Sequence, residues 1–260
     1  MTKLVIVGGG KMGEALLGGL LAGGWAPASE ITVVEPAAAR RDELAARFEG
    51  LVVTDAPVAA DGAIVAVKPQ LVTGVCRQLG EVGVGRVLSI AAGVRLATIE
   101  GALPTGTPVV RAMPNTPSLV GMGAAAIAGG AAASDDDLAW AEGILGSVGV
   151  VVRVGEDKID AVTGLSGSGP AYVFLIAEAL IDAGVLVGLT RDVATELAVQ
   201  TLRGSAELLA TGIAPSEARG NVTSPGGTTA AGLRALEAGA VRSAIIDAVV
   251  ASAARAAELG

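Results

Sequence analysis

The 260-residue chain contains no histidine and only one cysteine, Cys76. A zinc site of the Cys/His kind has no ligand set here, no disulfide can close within the chain, and no metal is expected. The composition suits a cytoplasmic protein. Aromatic residues are scarce at 2% while glycine reaches 38 residues, so helices are expected to pack closely on small side chains. Positive charge is also short. Lys and Arg number 18 against 26 Asp and Glu, a net charge of -8, which lacks the basic stripe of a nucleic-acid binder. The mean hydropathy of +0.63 invites a membrane reading. The charge-free stretch between Arg111 and Asp135 is nevertheless broken by Pro114, Pro117 and a Gly/Ala run from Gly121 to Gly130, so it is too weakly apolar to span a bilayer. The amino terminus enters a strand-like run without a cleavage-site pattern, and no secretion signal is expected.

What is present is a rhythm. Short apolar runs (Leu4 to Val7, Ile31 to Val34, Leu51 to Val53, Ala63 to Val67, Val87 to Ile90, Val109 to Val110, Val150 to Val152) alternate with helical patterns at Lys11 to Ala22, Ala37 to Phe48, Gln70 to Leu79 and Ser134 to Ser147. This βαβ alternation predicts an α/β fold with a mainly parallel sheet covered on both faces. Beyond about Val154 the strand signal stops and helices follow: Asp157 to Leu165, Pro170 to Val187, Arg191 to Leu209, Thr228 to Glu237 and Val241 to Leu259, with Thr190 as an N-cap. The junction is placed within Gly155 to Asp160, giving domains 1–155 and 156–260. The carboxyl-terminal helices are rich in Ala, Val and Leu and poor in charge, so a dimer with intertwined helices is expected.

Gly8-Gly9-Gly10-Lys11-Met12-Gly13 fits G-x-G-x-x-G directly after the first strand and at the opening of the first helix. Gly8 allows the tight turn, Gly10 removes the side chain that would block a pyrophosphate, and Gly13 lets the helix lie close on the sheet. Glu35 closes the second strand about 22 residues past Gly13, where a carboxylate can accept hydrogen bonds from ribose hydroxyls. That placement favours NADH. Arg40 and Arg41 in the next helix are positioned to hold a 2′-phosphate instead, which leaves NADPH or NADH open.

Ligands of open α/β sheets gather at the carboxyl ends of the strands. Three turn segments fall there: Ala66-Val67-Lys68-Pro69-Gln70, Ala91-Ala92-Gly93, and Ala112 to Pro117 with Asn115 at its centre. Together they look like the far wall of a nucleotide groove. In the helical half, Ser166-Gly167-Ser168-Gly169-Pro170 sets a proline in a first helical turn. Asn221-Val222-Thr223-Ser224-Pro225-Gly226-Gly227-Thr228-Thr229 opens another helix, whose free N–H groups and dipole form a seat for an anion such as a carboxylate.

These loops, with the stretch Asp160 to Tyr172 as the most specific element and Val67-Lys68-Pro69 and Arg111 to Pro117 in support, resemble the pyrroline-5-carboxylate reductase family along nearly the whole chain. The resemblance implies a Rossmann domain followed by an all-α dimerisation domain, in a homodimer or a larger ring of dimers. It further implies NADPH- or NADH-dependent reduction of L-1-pyrroline-5-carboxylate to L-proline, the last step of proline biosynthesis. Carried onto this chain, Gly8, Gly10, Lys11, Met12 and Gly13 cradle the pyrophosphate and Glu35 meets the ribose. Ala66, Val67, Lys68, Pro69, Ala91, Ala92, Gly93 and Asn115 line the groove, and Asn221 reaches the cofactor. Ser224, Gly227, Thr228 and Thr229 hold the substrate.

Hydride transfer to an imine requires C4 of the nicotinamide against the imine carbon, and such orientation supplies roughly 7 to 11 kcal/mol of barrier reduction. With no histidine to protonate the nitrogen, the iminium arrives protonated from water or receives its proton through a hydroxyl, for which Thr229 is the candidate. The rivals are a β-hydroxyacid or 6-phosphogluconate-type dehydrogenase, which wants a lysine that the helix from Pro170 to Val187 lacks, and a non-catalytic dinucleotide sensor.

Overall fold

The structure is a computed structural model and describes residues 2–260. Its first part alternates β1 (Leu4–Val7), α1 (Lys11–Ala22), β2 (Ile31–Val34), α2 (Ala38–Arg47), β3 (Val52–Thr54), β4 (Gly62–Val65), α3 (Val72–Glu81), β5 (Val87–Ser89), α4 (Leu96–Glu100), β6 (Val109–Met113), β7 (Gly123–Gly129), α5 (Asp135–Leu145) and β8 (Gly149–Arg153). The strands form one sheet in the order β3-β2-β1-β4-β5-β6-β7-β8. Strands β1 to β6 are parallel, and β1 is flanked by β2 on one side and β4 on the other. The strand order therefore reverses at β1, the place where an open sheet leaves a crevice at its carboxyl edge.

The runs read as strands because both of their faces are buried. Leu4 and Ile6 pack with Leu16, Leu17 and Leu20 of α1 on one side, whereas Val5 and Val7 join Cys76 and Leu79 of α3 on the other. Each such side chain contributes about 1.5–3 kcal/mol by leaving water. Cys76 is fully buried, and burial pushes its thiol up to about 11.

The Gly/Ala run after Pro117 carried no strand expectation, yet it forms β7, antiparallel to β6 and parallel to β8. Ala126 and Ala128 enter one core and Ala125 and Ile127 the other. Alanine has little intrinsic strand preference, so it is the pairing on both edges that fixes this element. The short helix α4 was likewise not expected.

Helix α6 (Ile159–Val162) and a π turn (Thr163–Gly167) lead into α7 (Gly169–Leu186), α8 (Arg191–Ala210), α9 (Pro215–Asn221), α10 (Thr228–Ala238) and α11 (Val241–Leu259). The chain forms two compact units: residues through Ser168 together with Ala251–Gly260, and Gly169–Val250. Thr190 caps α8 by accepting the Val193 N–H at 3.4 Å, and Pro170 stands in the first turn of α7. Among the described residues of the second unit only Ala194 and Ala198 are buried, while Phe174, Leu175, Leu186, Ile246 and Val250 all stand exposed. One helical stretch, Glu156–Leu186, is long and apolar enough by length and composition to cross a membrane.

Candidate active site

Within the first unit, the carboxyl ends of four strands, β3, β2, β1 and β4, are tied edge to edge. The Gly8 N–H donates to Val34 O at 2.9 Å, Ala66 N–H to Val7 O at 2.8 Å, and Glu35 N–H to Thr54 O at 2.9 Å. Gly8 has φ of +113°, and a methyl there would run into the Ala66 carbonyl. A methyl on Gly13 would run into the Gly8 carbonyl, so the turn and helix α1 close on one another only without side chains. Gly10 is different. It is the N-cap of α1 in extended geometry with no side-chain cap, and a methyl there would meet nothing within 4 Å. The space before the helix is open, and its first N–H groups have no partner within the helix. An open cradle, exposed amides and a positive helix end fit the pyrophosphate of a dinucleotide. Met12 packs its side chain into the core, so it offers only its backbone, while Lys11 stands exposed at the head of the helix.

The Glu35 carboxylate is locked. Its Oε2 accepts the Gly9 N–H at 3.1 Å and its Oε1 accepts the Ala37 N–H at 3.0 Å. The arginines that sequence reasoning offered to a phosphate are engaged: Arg40 donates from Nε to Gly9 O at 2.9 Å and pairs with Glu43 and Glu14, and Arg41 donates to the carbonyls of Glu35 and Pro36.

Across the switch point, Ala66 and Val67 are half-buried and Lys68 is exposed, capping a short 3₁₀ turn. Pro69, Ala92 and Gly93 line a cavity of about 450 Å³ together with Thr163, Ala256 and Leu259. Ala91 is buried, its N–H donating to the Ser89 hydroxyl at 3.4 Å. Asn115 is buried too. Its Oδ1 accepts the Ala124 N–H at 2.9 Å and its Nδ2 donates to Ser166 O at 3.0 Å, so it fastens the π turn to the end of β6.

The sequence reading used Arg111 only as the first residue of the supporting stretch to Pro117 and gave it no task, although a lone arginine inside the apolar run Val-Val-Arg-Ala-Met was a signal. Its side chain is 5% exposed and donates to Glu156 at 3.0 Å, with Asp160 at 3.8 Å. Glu156 also accepts the Leu96 N–H at 2.6 Å, which joins α4, β6 and the start of α6.

Within the second unit, Ser224-Pro225-Gly226-Gly227 is a turn closed by Gly227 N–H to Ser224 O at 3.0 Å, with Gly226 at φ of +70°. Proline second and a left-handed glycine third are what a type II turn demands. Gly227 is the N-cap of α10 and has no side-chain cap, so the amides that follow it face outward from the helix end. The Ser224 hydroxyl sits against Gly227, Thr229 is half-buried in the first turn, and Asn221 and Thr228 are exposed.

Comparison with known proteins decides the family. A pyrroline-5-carboxylate reductase from Synechocystis is 48% identical over 99% of this chain and 98% of the relative. The chain belongs to the pyrroline-5-carboxylate reductase family. The reductase from Mycobacterium tuberculosis is 42% identical over 100% of this chain and 97% of its own. Residues 156–259 match the family model described as pyrroline-5-carboxylate reductase dimerisation, and residues 3–93 match that of NADP oxidoreductase, coenzyme F420-dependent. A solved reductase from Coxiella burnetii superposes with a TM-score of 0.93 at 37% identity, covering 100% of this chain and 98% of the other. A Plasmodium falciparum relative, solved with NADP bound, gives 0.84 at 29% identity over 100% and 98%. The dehydrogenase rival loses its ground, since α7 of this reductase has no lysine.

Proposed function

We propose that this chain reduces L-1-pyrroline-5-carboxylate to L-proline by holding a reduced nicotinamide dinucleotide on the first unit and the substrate carboxylate at the head of α10. The observation that carries the reading is the uncapped start of α10, the end of a turn whose sequence is shared by no other loop of the chain. Its amides and dipole suit a carboxylate.

The dinucleotide, when bound, supplies the hydride to the imine carbon. Gly8, Gly10, Lys11, Met12 and Gly13 hold its pyrophosphate, chiefly through backbone amides, and Glu35 receives the ribose. Ala66 to Pro69 and Ala91 to Gly93 form the far wall, which Asn115 braces, and Asn221 contacts the cofactor. Ser224, Gly227 and Thr228 grip the substrate. Thr229 orients the imine nitrogen by hydrogen bonding and relays the proton; an unperturbed alcohol is too weak an acid to do more.

Residues 1–155 form the dinucleotide-binding domain in this reading and 156–260 the substrate and dimerisation domain. The exposed apolar side chains of α7, α8 and α11 meet a second copy, which accounts for Glu156–Leu186 as an interface segment instead of a membrane span. A buried, unpaired thiol suits the reducing cytoplasm, where we place the enzyme.

The test mixes purified protein with pyrroline-5-carboxylate and NADH or NADPH and follows loss of the reduced-nicotinamide absorbance together with proline formation. Binding of the dinucleotide without its oxidation would identify a sensor and end the proposal.

A further inference from the structure

We propose that this chain selects NADH over NADPH, with Glu35 as the residue that sets the choice. The inference rests on the dinucleotide reading above and adds the identity of the cofactor. The Glu35 carboxylate closes β2 beside the glycine turn, and its position is fixed from two sides, by the Gly9 N–H at 3.1 Å and the Ala37 N–H at 3.0 Å. A methyl built on Gly9 would lie 3.2 Å from Oε2 and 2.7 Å from Leu44, so the loop and the carboxylate pack as one piece. A carboxylate has about four acceptor sites. Two are used by these amides, and the rest remain for the hydroxyl hydrogens of an adenosine ribose.

A 2′-phosphate brings about two negative charges to the same place. It would need a cation free to turn towards it, and each neighbouring arginine is already held by a carboxylate or by main-chain carbonyls. All three nitrogens of Arg40 are used, on Gly9 O, Glu43 and Glu14. Arg47 pairs with the other oxygen of Glu14. Arg41 turns back onto the carbonyls of Glu35 and Pro36 at 3.0 and 2.8 Å. Glu14, Glu35 and Glu43 thus balance Arg40, Arg41 and Arg47, and the corner has no net positive charge to offer a phosphate.

The experiment is calorimetric titration of the wild-type protein with NADH and NADPH, and with ADP and its 2′-phosphorylated counterpart as fragments without a reactive ring. The expected result is tighter binding of both ligands that lack the 2′-phosphate, by about tenfold or more. Glu35→Ser and Glu35→Gln should each bring the NADH/NADPH ratio towards one, mainly by tightening NADPH; Glu35→Gln retains the shape should the serine variant fold poorly. Equal or tighter binding of NADPH by the wild type overturns the proposal, as does a wild-type ratio in both folded variants. Failure to bind either dinucleotide overturns it together with the reductase reading. NADH preference without turnover of pyrroline-5-carboxylate leaves the cofactor choice standing and removes only the reductase reading.

Discussion

A methyl group has opposite consequences at two glycines three residues apart. On Gly10 it would touch nothing within 4 Å, and the backbone there is extended with φ of −72°. Gly10→Ala should therefore keep wild-type thermal stability while weakening dinucleotide binding about tenfold or more, because in the proposed reading the added carbon stands where the pyrophosphate approaches. Gly13→Ala drives a carbon into the Gly8 carbonyl and should lower the melting temperature instead. Unchanged dinucleotide affinity in a well-folded Gly10→Ala protein would refute the pyrophosphate assignment. At Thr229 the predicted loss is in turnover. In the proposed reading Thr229→Val removes one hydrogen bond to a charged substrate, worth about 1.5–3 kcal/mol, so kcat should fall roughly 10- to 150-fold with melting unaltered. Kinetics close to wild type would retire Thr229 from its role.

Helix α5 offers a prediction at the next scale up. Ser134 and Asp137 cap its start reciprocally, and Arg86 adds an ion pair to Asp137 at 3.4 Å. Ser134→Ala should cost about 0.5–2 kcal/mol, read as a drop in melting temperature of about 2–4 °C per kcal/mol. Burial pushes the Asp137 carboxyl upward, but hydrogen bonds from Ser134 and Arg86 outweigh it and hold the group below its ordinary value. A depressed folded-state value means that the stabilisation is complete above the ordinary carboxylate range and disappears as pH falls through the lowered value. The melting gap between wild type and Asp137→Asn should accordingly be widest near neutrality and shrink below about pH 4. A gap that stays constant into strong acid would contradict that origin.

Elements also show where the sequence was readable. The glycine turn, the Thr190 cap and the Pro225-Gly226 turn are local devices whose partners lie within a few residues, so their types alone declare them. Strand β7 is invisible to such reading because its alanines become a strand only between β6 and β8. Arg111 and Asn115 bond partners 45 and 51 residues further on, a separation at which no spacing rule operates. The engagement of Arg40 with Glu14, 26 residues earlier, was hidden for the same reason.

For the molecule as a whole, the helical unit exposes an apolar surface, which the proposed reading gives to a second copy. Light scattering should find a multiple of the 25.3 kDa chain mass. Ile246→Glu, at a position 57% exposed on α11, should lower that mass and the melting temperature together if the residue lies in the interface. A wild-type protein that runs as single chains at micromolar concentration would remove the interface reading.

The sole thiol sits sealed between α3 and the sheet, almost wholly protonated at neutral pH. Alkylating reagents can reach it only when that packing comes apart. Cys76 is thus a built-in clock: its labelling rate, followed by mass spectrometry with no engineered tag, reads how often the nucleotide-binding half breathes open, and saturating cofactor should slow the clock by the factor that binding adds to stability.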